Sequence, residues 1–564
     1  MNSSDQHSSG KNLSVSQQRW ETEVRAQYVQ THPERRAAFR NDVGLDIQPL
    51  YTPLDLEKRG FDYARDLGFP GEFPFTRGIN PSMNRGELFN IRVYSGFGNA
   101  ERCNHRYKKI AAWGADELQI AADLPTQIGY DSDHIMSRGE IGRTGVAIDS
   151  LQDMEILFDG IPLNRFKRVS TLFNSIGPIA LSLFIALGEK QGLKPADFVL
   201  DLQNDPLKEY VARGTYIFPM PDAVRFACDA VEYCAKQAPH WYPMTLCVNH
   251  MNAAGGGSTK ATAFAMANGI EYINELLRRG LCIDQIAPLL DMFLDEREDF
   301  FVTTANCRAA RKIWAHLMRD RFGAQDPRSM AMKFTSYAHG GETLKEPINN
   351  IVRIAFASLA YAFGGVQFLY DASWDEPMAT PTDEACKVAI RTLQIIAHEL
   401  GFSKTVDPLA GSYYLESLTL DIERDIKAEL ANVEKQGGAV TAISKGYYQG
   451  ILTKGAVRRQ QEFEKGERVS VGVNLFPSDE DLPLGAFRVD PVIEQQQLQR
   501  LQTLKENRNN KAVTDALADI CDAAVGRQNL VEPILVAVKA YTTVGEIANT
   551  LRDVYGEHKV ITQF

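Results

Sequence analysis

The chain has 564 residues, 44 % of them hydrophobic, enough apolar material for one large core with appendages or for two to three domains. A formal net charge of -11 and an isoelectric point near 5.5 argue against sequence-independent binding to nucleic acid or anionic lipid, both of which need a basic face. The eight cysteines form no Cys-x-x-Cys pair and no Cys/His cluster at zinc spacing, which points to reduced structural thiols in a cytoplasmic protein and to no metal held by this chain. No stretch approaches the roughly 18 consecutive apolar residues that span a bilayer.

Residues 1–19 are polar and read as a disordered tail. From Trp20 to about Lys58 the pattern is helical and charged, and Pro and Gly then break it in PGEFPFTRGINPSM. Residues 20–85 are therefore expected to form an N-terminal arm that contacts a partner.

A new rhythm starts at Asn90. Short β-prone runs recur at 90–95, 118–124, 168–174, 198–204, 244–249, 285–293, 330–336 and 366–371, each followed by a polar loop and an amphipathic helical stretch. Eight strands alternating with helices predict an α/β fold, a closed (β/α)8 TIM barrel over residues 86–412 in preference to an open parallel sheet. After Pro408 the rhythm stops. Residues 413–564 are predicted to be a helical, linker-like region, with a charged helical part to about 467, a connector RVSVGVNLFPSDEDLP, a long polar helix over 490–528 and a final amphipathic pair.

A TIM barrel carries its active site at the C-terminal ends of its strands. Those ends are Tyr94, Asp123, Asn174, Gln203 with Asn204, His250, Asp291, Thr335 with Tyr337, and Tyr370 with Asp371. Among them His250 closes an apolar run and precedes the glycines 255–257. The bland alternative is a half-buried histidine without chemistry. The glycine run has neither the lysine nor the spacing of a phosphate-binding loop, so it reads as a flexible turn.

Five strings add specificity: Asp123-Leu-Pro-Thr-Gln127-Ile-Gly-Tyr-Asp131-Ser-Asp-His134 with Gly145-Val-Ala-Ile-Asp149-Ser150; Arg92-Val-Tyr94-Ser-Gly96-Phe97; Gln203-Asn-Asp-Pro-Leu-Lys208-Glu209; Asn249-His250-Met251; and Asp407-Pro-Leu-Ala-Gly411-Ser-Tyr-Tyr414. Together they resemble the adenosylcobalamin-dependent acyl-CoA mutases, the family of methylmalonyl-CoA mutase, from about residue 45 to 560. The resemblance implies a barrel threaded by the pantetheine arm of an acyl-CoA, and radical chemistry that moves the thioester-bearing carbon to a neighbouring atom. The cobalamin module's Asp-x-His-x-x-Gly string occurs only as Asp5-Gln-His7-Ser-Ser-Gly10 in the polar N-terminal tail, with no Rossmann-like pattern around it. The implied protein is a large subunit of the type in isobutyryl-CoA and 2-hydroxyisobutyryl-CoA mutases, paired with a small cobalamin-binding subunit as a heterodimer or heterotetramer.

By matching position, the resemblance implies that His250 donates to the thioester carbonyl, Tyr94 lies behind the acyl group and Arg213 pairs with a second substrate carboxylate. It places Ser82, Met83, Arg92, Gln203 and Asn249 at the substrate or CoA, and Leu124, Gln127, Tyr337, Asp375 and Glu376 at the cofactor. Arg213 could instead pair with Glu209 one turn back, Tyr94 could merely fill the barrel, and Glu376 could merely cap a helix. Isobutyryl-type relatives carry Phe and Gln at Tyr94 and Arg213, and hydroxyisobutyryl-type relatives carry Asp at Ala121; this chain sides with the dicarboxylic type at those positions.

Elsewhere it departs. Asn249 and Ala253 replace the Tyr and Glu that flank the histidine, Leu289 and Asp291 replace an Arg and a Ser that contact CoA, and Glu87 stands where an Arg is expected, although Arg85 could serve. Lys333–Tyr337 replaces Arg-Thr-His-Ser-Gln, and Tyr370-Asp371-Ala372 replaces His-Thr-Asn. These losses leave open a bulkier or carrier-protein-bound thioester, or a non-catalytic barrel that serves as a scaffold.

Overall fold

The computed structural model describes residues 12–295, 299–339, 343–378, 380–477 and 491–559. Eight parallel strands form the barrel: β1 (Asn90–Ser95), β2 (Glu117–Ile120), β3 (Arg168–Leu172), β4 (Leu200–Gln203), β5 (Met244–Cys247), β6 (Leu290–Leu294), β7 (Lys333–Ala338) and β8 (Phe368–Asp371). Hydrogen-bonded neighbours run in the order β4-β3-β2-β1-β8-β7-β6-β5. The ring closes through Tyr242, just ahead of β5, whose N–H donates to Leu200 O at 2.9 Å and whose carbonyl accepts from Leu202 N at 2.8 Å.

Each strand is followed by an outer helix: α1 (Ala100–Ala112), α2 (Leu151–Leu157), α3 (Gly177–Lys190), α4 (Met220–Gln237), α5 (Ser258–Arg278), α6 (Phe300–His316), α7 (Asn349–Gly364) and α8 (Asp383–His398). The strands' outward residues, such as Ile91, Val93, Leu118, Val169 and Leu246, join the helices in one continuous apolar core. A second, smaller apolar cluster of Cys247, Phe293 and Tyr370, with Tyr94 and Tyr337 against it, lies inside the barrel.

Differences from the sequence-based expectations have local causes. Residues 1–11 of the expected tail, and residues 478–483 of the expected connector, lie outside the described residues, whereas residues 12–31 are helical. That helix stops at His32, before Pro33, because proline disfavours the α conformation in the residue ahead of it; helix returns only at Pro53–Lys58. The sixth run begins as helix at Ile283–Ile286, and the turn containing Pro288 delays β6 to Leu290.

The long polar helix expected over 490–528 is two helices, α12 (Pro491–Asn507) and α13 (Asn510–Val525). Asn509 breaks it by turning out of the helical conformation to accept from Ala512 N at 3.1 Å.

The C-terminal region packs on the barrel through α9 (Tyr413–Gln436), α10 (Ala439–Ser444), α11 (Tyr447–Glu464), α12, α13, α14 (Val531–Lys539) and α15 (Val544–Tyr555). Its anchors are residues of the Asp131…Asp149 string. Asp131 accepts from Thr543 Oγ1 and Gly545 N, each at 2.6 Å, and Gln497 donates to Asp149 at 2.8 Å and to Asp153 at 3.0 Å. Much of that string's specificity is thus spent on fastening C-terminal helices across the β2 and β3 loops.

Candidate active site

Alternation along a strand sends every second side chain into the barrel. The inward residues near the strand ends are Tyr94, Gln119, Ser170, Gln203, Cys247, Phe293, Tyr337 and Tyr370, one from each strand. The register sets Tyr94 beside Gln119, Cys247 beside Phe293 and Tyr337 beside Tyr370. Tyr337 and Tyr370 stack with centroids 4.6 Å apart. This layer floors a chamber at the C-terminal rim.

His250 stands over the floor on a helical turn, Asn249–Met251, just past β5. Its Nδ1 lies 3.0 Å from Lys208 Nζ. Lys208 is wholly buried and also reaches Gln203 Oε1 at 3.1 Å and Glu209 Oε1 at 2.8 Å. An ammonium has only donors to offer, so it makes Nδ1 the acceptor and assigns the ring proton to Nε2. Sequence reasoning quoted Lys208 within a motif but gave it no role. A lysine two residues after Asp-Pro on a loop carries no local mark of contact with a histidine 42 positions away.

Arg213 ends a π-helical turn, Glu209–Arg213, closed by left-handed Gly214. Its guanidinium approaches Glu209 only to 3.7 Å, too far for a hydrogen bond, and its buried Nη1 has no hydrogen-bond partner. Glu209 is already engaged by Lys208 and by the hydroxyl of Thr215. Burial raises the Glu209 carboxyl, but Lys208 and then Arg213 outweigh it and leave it below its ordinary value. Burial pushes the Tyr94 hydroxyl up, against the pull of Arg213 and with the push of Glu376, which places all three groups at one chamber.

The other expected site residues divide into two groups. Glu376 accepts from Tyr337 Oη and, at 3.2 Å, from Ser373 N, so both belong to the rim. Leu124 and Gln127 lie on the short helix after β2, and the buried Oε1 of Gln127 has no hydrogen-bond partner. Neither do Gln119 Oε1, Gln203 Nε2 and Asn249 Oδ1. Buried polar atoms are normally paired, so these are the atoms at the strand ends that a polar ligand could satisfy.

Asp375, by contrast, has one oxygen committed to Thr382 N at 2.9 Å and Thr382 Oγ1 at 2.8 Å, pinning the loop before α8. Ser82 and Met83 lie at the opposite, N-terminal face, where Met83 lines a pocket of about 350 Å³ and Ser82 is exposed. Arg92 lies inside the barrel, where its guanidinium is taken up by Glu117 at 2.9 Å and Asp201 at 2.7 Å.

The glycine run after His250 serves packing. At Gly255, φ is +121° and a Cβ would fall 2.2 Å from Leu452 O of α11. A Cβ on Gly455 would in turn strike Gly255 O at 1.9 Å. Two glycines let α11 press its backbone onto the turn that carries the histidine, and Arg459 of α11 donates to Asn252 O.

An eight-stranded barrel with polar residues gathered at the C-terminal rim is the arrangement in which (β/α)8 enzymes carry their active sites. The sequence matches the methylmalonyl-CoA mutase family over residues 40–557. It is 38 % identical over 526 residues to the methylmalonyl-CoA mutase of Rhizobium meliloti (strain 1021), covering 92 % of this chain and 73 % of that protein. It is 36 % identical over 544 residues to the 2-hydroxyisobutanoyl-CoA mutase large subunit of Aquincola tertiaricarbonis, covering 96 % of each, and 35 % identical over 522 residues to the methylmalonyl-CoA mutase of Escherichia coli (strain K12), covering 92 % and 72 %. The chain belongs to the methylmalonyl-CoA mutase family, and its enzyme class is that of the isomerases, as an intramolecular transferase.

Proposed function

We propose that the chain is the large, catalytic subunit of an adenosylcobalamin-dependent acyl-CoA mutase that rearranges the carbon skeleton of a branched, dicarboxylic acyl thioester. The observation that carries this reading is the Lys208–His250 pair at 3.0 Å beside a buried Arg213 nitrogen without a hydrogen-bond partner. The alignment with a protein named as a large subunit, over 96 % of both chains, supports a small cobalamin-binding partner. Eight cysteines with no disulfide among them fit a cytoplasmic setting. Among the described residues no helix is long and apolar enough to cross a membrane.

The rim's unpartnered polar atoms fit a large polar cofactor laid across it, and Leu124, Gln127, Tyr337 and Glu376 are the residues that would hold its adenosyl side. When bound, adenosylcobalamin supplies the radical that starts the rearrangement. The chain's own residues do the rest. His250, protonated on Nε2, donates to the thioester carbonyl while its carbon migrates. Arg213 clamps the second carboxylate with a planar, always-charged fork. Tyr94, Phe293, Tyr337 and Tyr370 wall the chamber against water and competing hydrogen donors.

The test mixes the chain with a cobalamin-binding small subunit, adenosylcobalamin and a panel of dicarboxylic and monocarboxylic thioesters, and follows isomer by chromatography. Turnover that prefers the dicarboxylic members is expected, and His250→Ala should lower kcat more than it raises KM. Absence of isomer across the panel would overturn the reading in favour of a scaffold.

A further inference from the structure

Arg213 stands at the apex of a loop that closes on itself. Tyr210 and Tyr216 flank it symmetrically in the sequence, and their rings stack with centroids 4.9 Å apart and planes 11° from parallel. Between them the π-helical turn Glu209–Arg213 ends at Gly214, whose φ of +83° reverses the chain. Thr215 fastens the return by donating to Glu209 through its N–H at 3.3 Å and through its hydroxyl. Arg213 itself gains no direct hold from these bonds, since it stays 3.7 Å from Glu209 and its Nη1 has no hydrogen-bond partner. The guanidinium is therefore placed by the backbone of the loop, and the loop by whatever holds its paired rings.

That hold comes from the far end of the described chain. After α15 the chain turns at Gly556, with φ at +75°, and returns against the loop. His558 N donates to Ile217 O at 2.8 Å. Its imidazole meets both tyrosines edge-on, with centroids 4.7 Å from Tyr210 and 4.9 Å from Tyr216 and planes at 76° and 80°. Such edge-to-face contacts are favoured by the charge distribution of aromatic rings. Burial holds the imidazole below its ordinary value, so near neutral pH it packs as an uncharged ring. Two further ties fix the same side of the loop. Tyr210 Oη donates to Phe218 O, and Phe218 meets Tyr555 of α15 edge-on at 5.6 Å. Arg225 of α4 anchors Tyr555 in turn, donating to its hydroxyl at 2.7 Å.

We infer that His558 is a positioning residue for acyl recognition: the aromatic box it forms with Tyr210 and Tyr216 fixes Arg213 over the chamber and so sets the preference for a carboxylated acyl group. That Arg213 receives a carboxylate rests on the function proposed above; that the box holds the loop rests on the contacts alone. The physical reason is entropic. A loop that turns on a glycine samples many conformations when free, and a guanidinium carried on it would meet a carboxylate only after that freedom is given up. With the rings locked, the ordering is complete before a ligand arrives. The gain is felt by acyl groups that use Arg213 and by no others.

Two measurements on the full chain test this in the wild type, His558→Ala and His558→Phe, with circular dichroism as the folding control. Amide hydrogen exchange over residues 209–217, read by mass spectrometry, needs neither cofactor nor turnover. Initial rates in the complex with a cobalamin-binding small subunit compare one dicarboxylic with one monocarboxylic thioester. In His558→Ala, exchange over 209–217 should be at least about tenfold faster. The dicarboxylic KM should rise about fivefold, the worth of one aromatic edge contact, with kcat changed by less than about twofold and the monocarboxylic substrate unaffected. His558→Phe, which keeps the ring edge, should restore both readouts to within about twofold of the wild type. Should His558→Ala not fold, His558→Leu takes its place with the same expectations. Unchanged exchange overturns the clasp. Faster exchange with equal losses on both substrates, or with no loss on either, overturns the positioning role. Failure of the wild type to turn over either thioester falls on the proposed function, and the exchange measurement still decides whether the box holds the loop.

Discussion

Lys208 holds three partners with one ammonium, and replacing it by methionine keeps the stem's volume while removing every donor. The lost bonds are those to His250 at 3.0 Å, Gln203 at 3.1 Å and Glu209 at 2.8 Å. Hydrogen bonds to charged groups contribute about 1.5–3 kcal/mol each, and a buried carboxylate deprived of its cation costs about 3–5 kcal/mol. Glu209 has a second cation within reach, because Arg213 is 3.7 Å away. Closing that gap to hydrogen-bonding distance relieves Glu209 but draws the guanidinium away from Tyr94 and the chamber.

The variant should therefore lose two things at once: the fixed Nε2 proton of His250 and the carboxylate clamp. For a dicarboxylic thioester the expected fall in kcat/KM is roughly 10²–10³-fold, about 3–4 kcal/mol. For a monocarboxylic one, which makes no use of Arg213, roughly tenfold is expected. Initial rates on both substrates, with nitrogen-15 NMR of the His250 ring in each protein, read the two losses separately. A ring that keeps its proton on Nε2 in the variant, together with equal losses on both substrates, would refute the reasoning.

Three further outcomes follow from the same geometry. Arg213→Gln should cost about 2–3 kcal/mol on dicarboxylic substrates alone, measured as kcat/KM; an equal loss on all substrates would make Arg213 structural. Gly255→Ala should destabilise by about 2–4 kcal/mol, because φ is +121° and the new Cβ meets backbone rather than a movable side chain; an unchanged urea midpoint would contradict it. Burial pushes the carboxyls of Asp123 and Asp229 up to about 6, above the ordinary 3.8, so the folded chain binds protons that the unfolded chain does not between those values. Their burden is full above about pH 6 and is relieved as pH falls towards 4, by on the order of 3 kcal/mol per group. Glu209 and Glu423, held below their ordinary value, lose their stabilising contribution only further down. Urea midpoints should therefore be at least as high at pH 5 as at pH 7, and a steady decline over that interval would count against the assignment.

The barrel was legible because each strand is a short apolar run between a polar loop and an amphipathic helix, and that alternation survives in a single sequence. His250 and Tyr94 stand out as candidates because strand ends and family motifs point at them, and Arg213 through the resemblance alone. Boundaries failed where one residue outweighed a longer pattern: Pro33 ended the first helix, Pro288 delayed β6, and Asn509 split the polar helix. Lys208 and the glycine pair 255 and 455 were illegible for another reason. Their partners come from distant segments, and nothing local distinguishes a lysine that orients a histidine from one that solvates a loop.

The charged residues inside the barrel were half legible. NIRVYS, RVSTL, LDLQ and LDMFL each contain a lone charge inside an otherwise strand-like run, and β2 opens on Glu117. Taken singly, each such charge looks like a flaw in a strand or a candidate ligand contact. Only the register brings them together: Arg92 sits beside Glu117, and Glu117 beside Arg168, so the signs alternate across three neighbouring strands. A charge that is prohibitive in an isolated apolar environment becomes tolerable when the neighbouring strands supply its counterions at the same height.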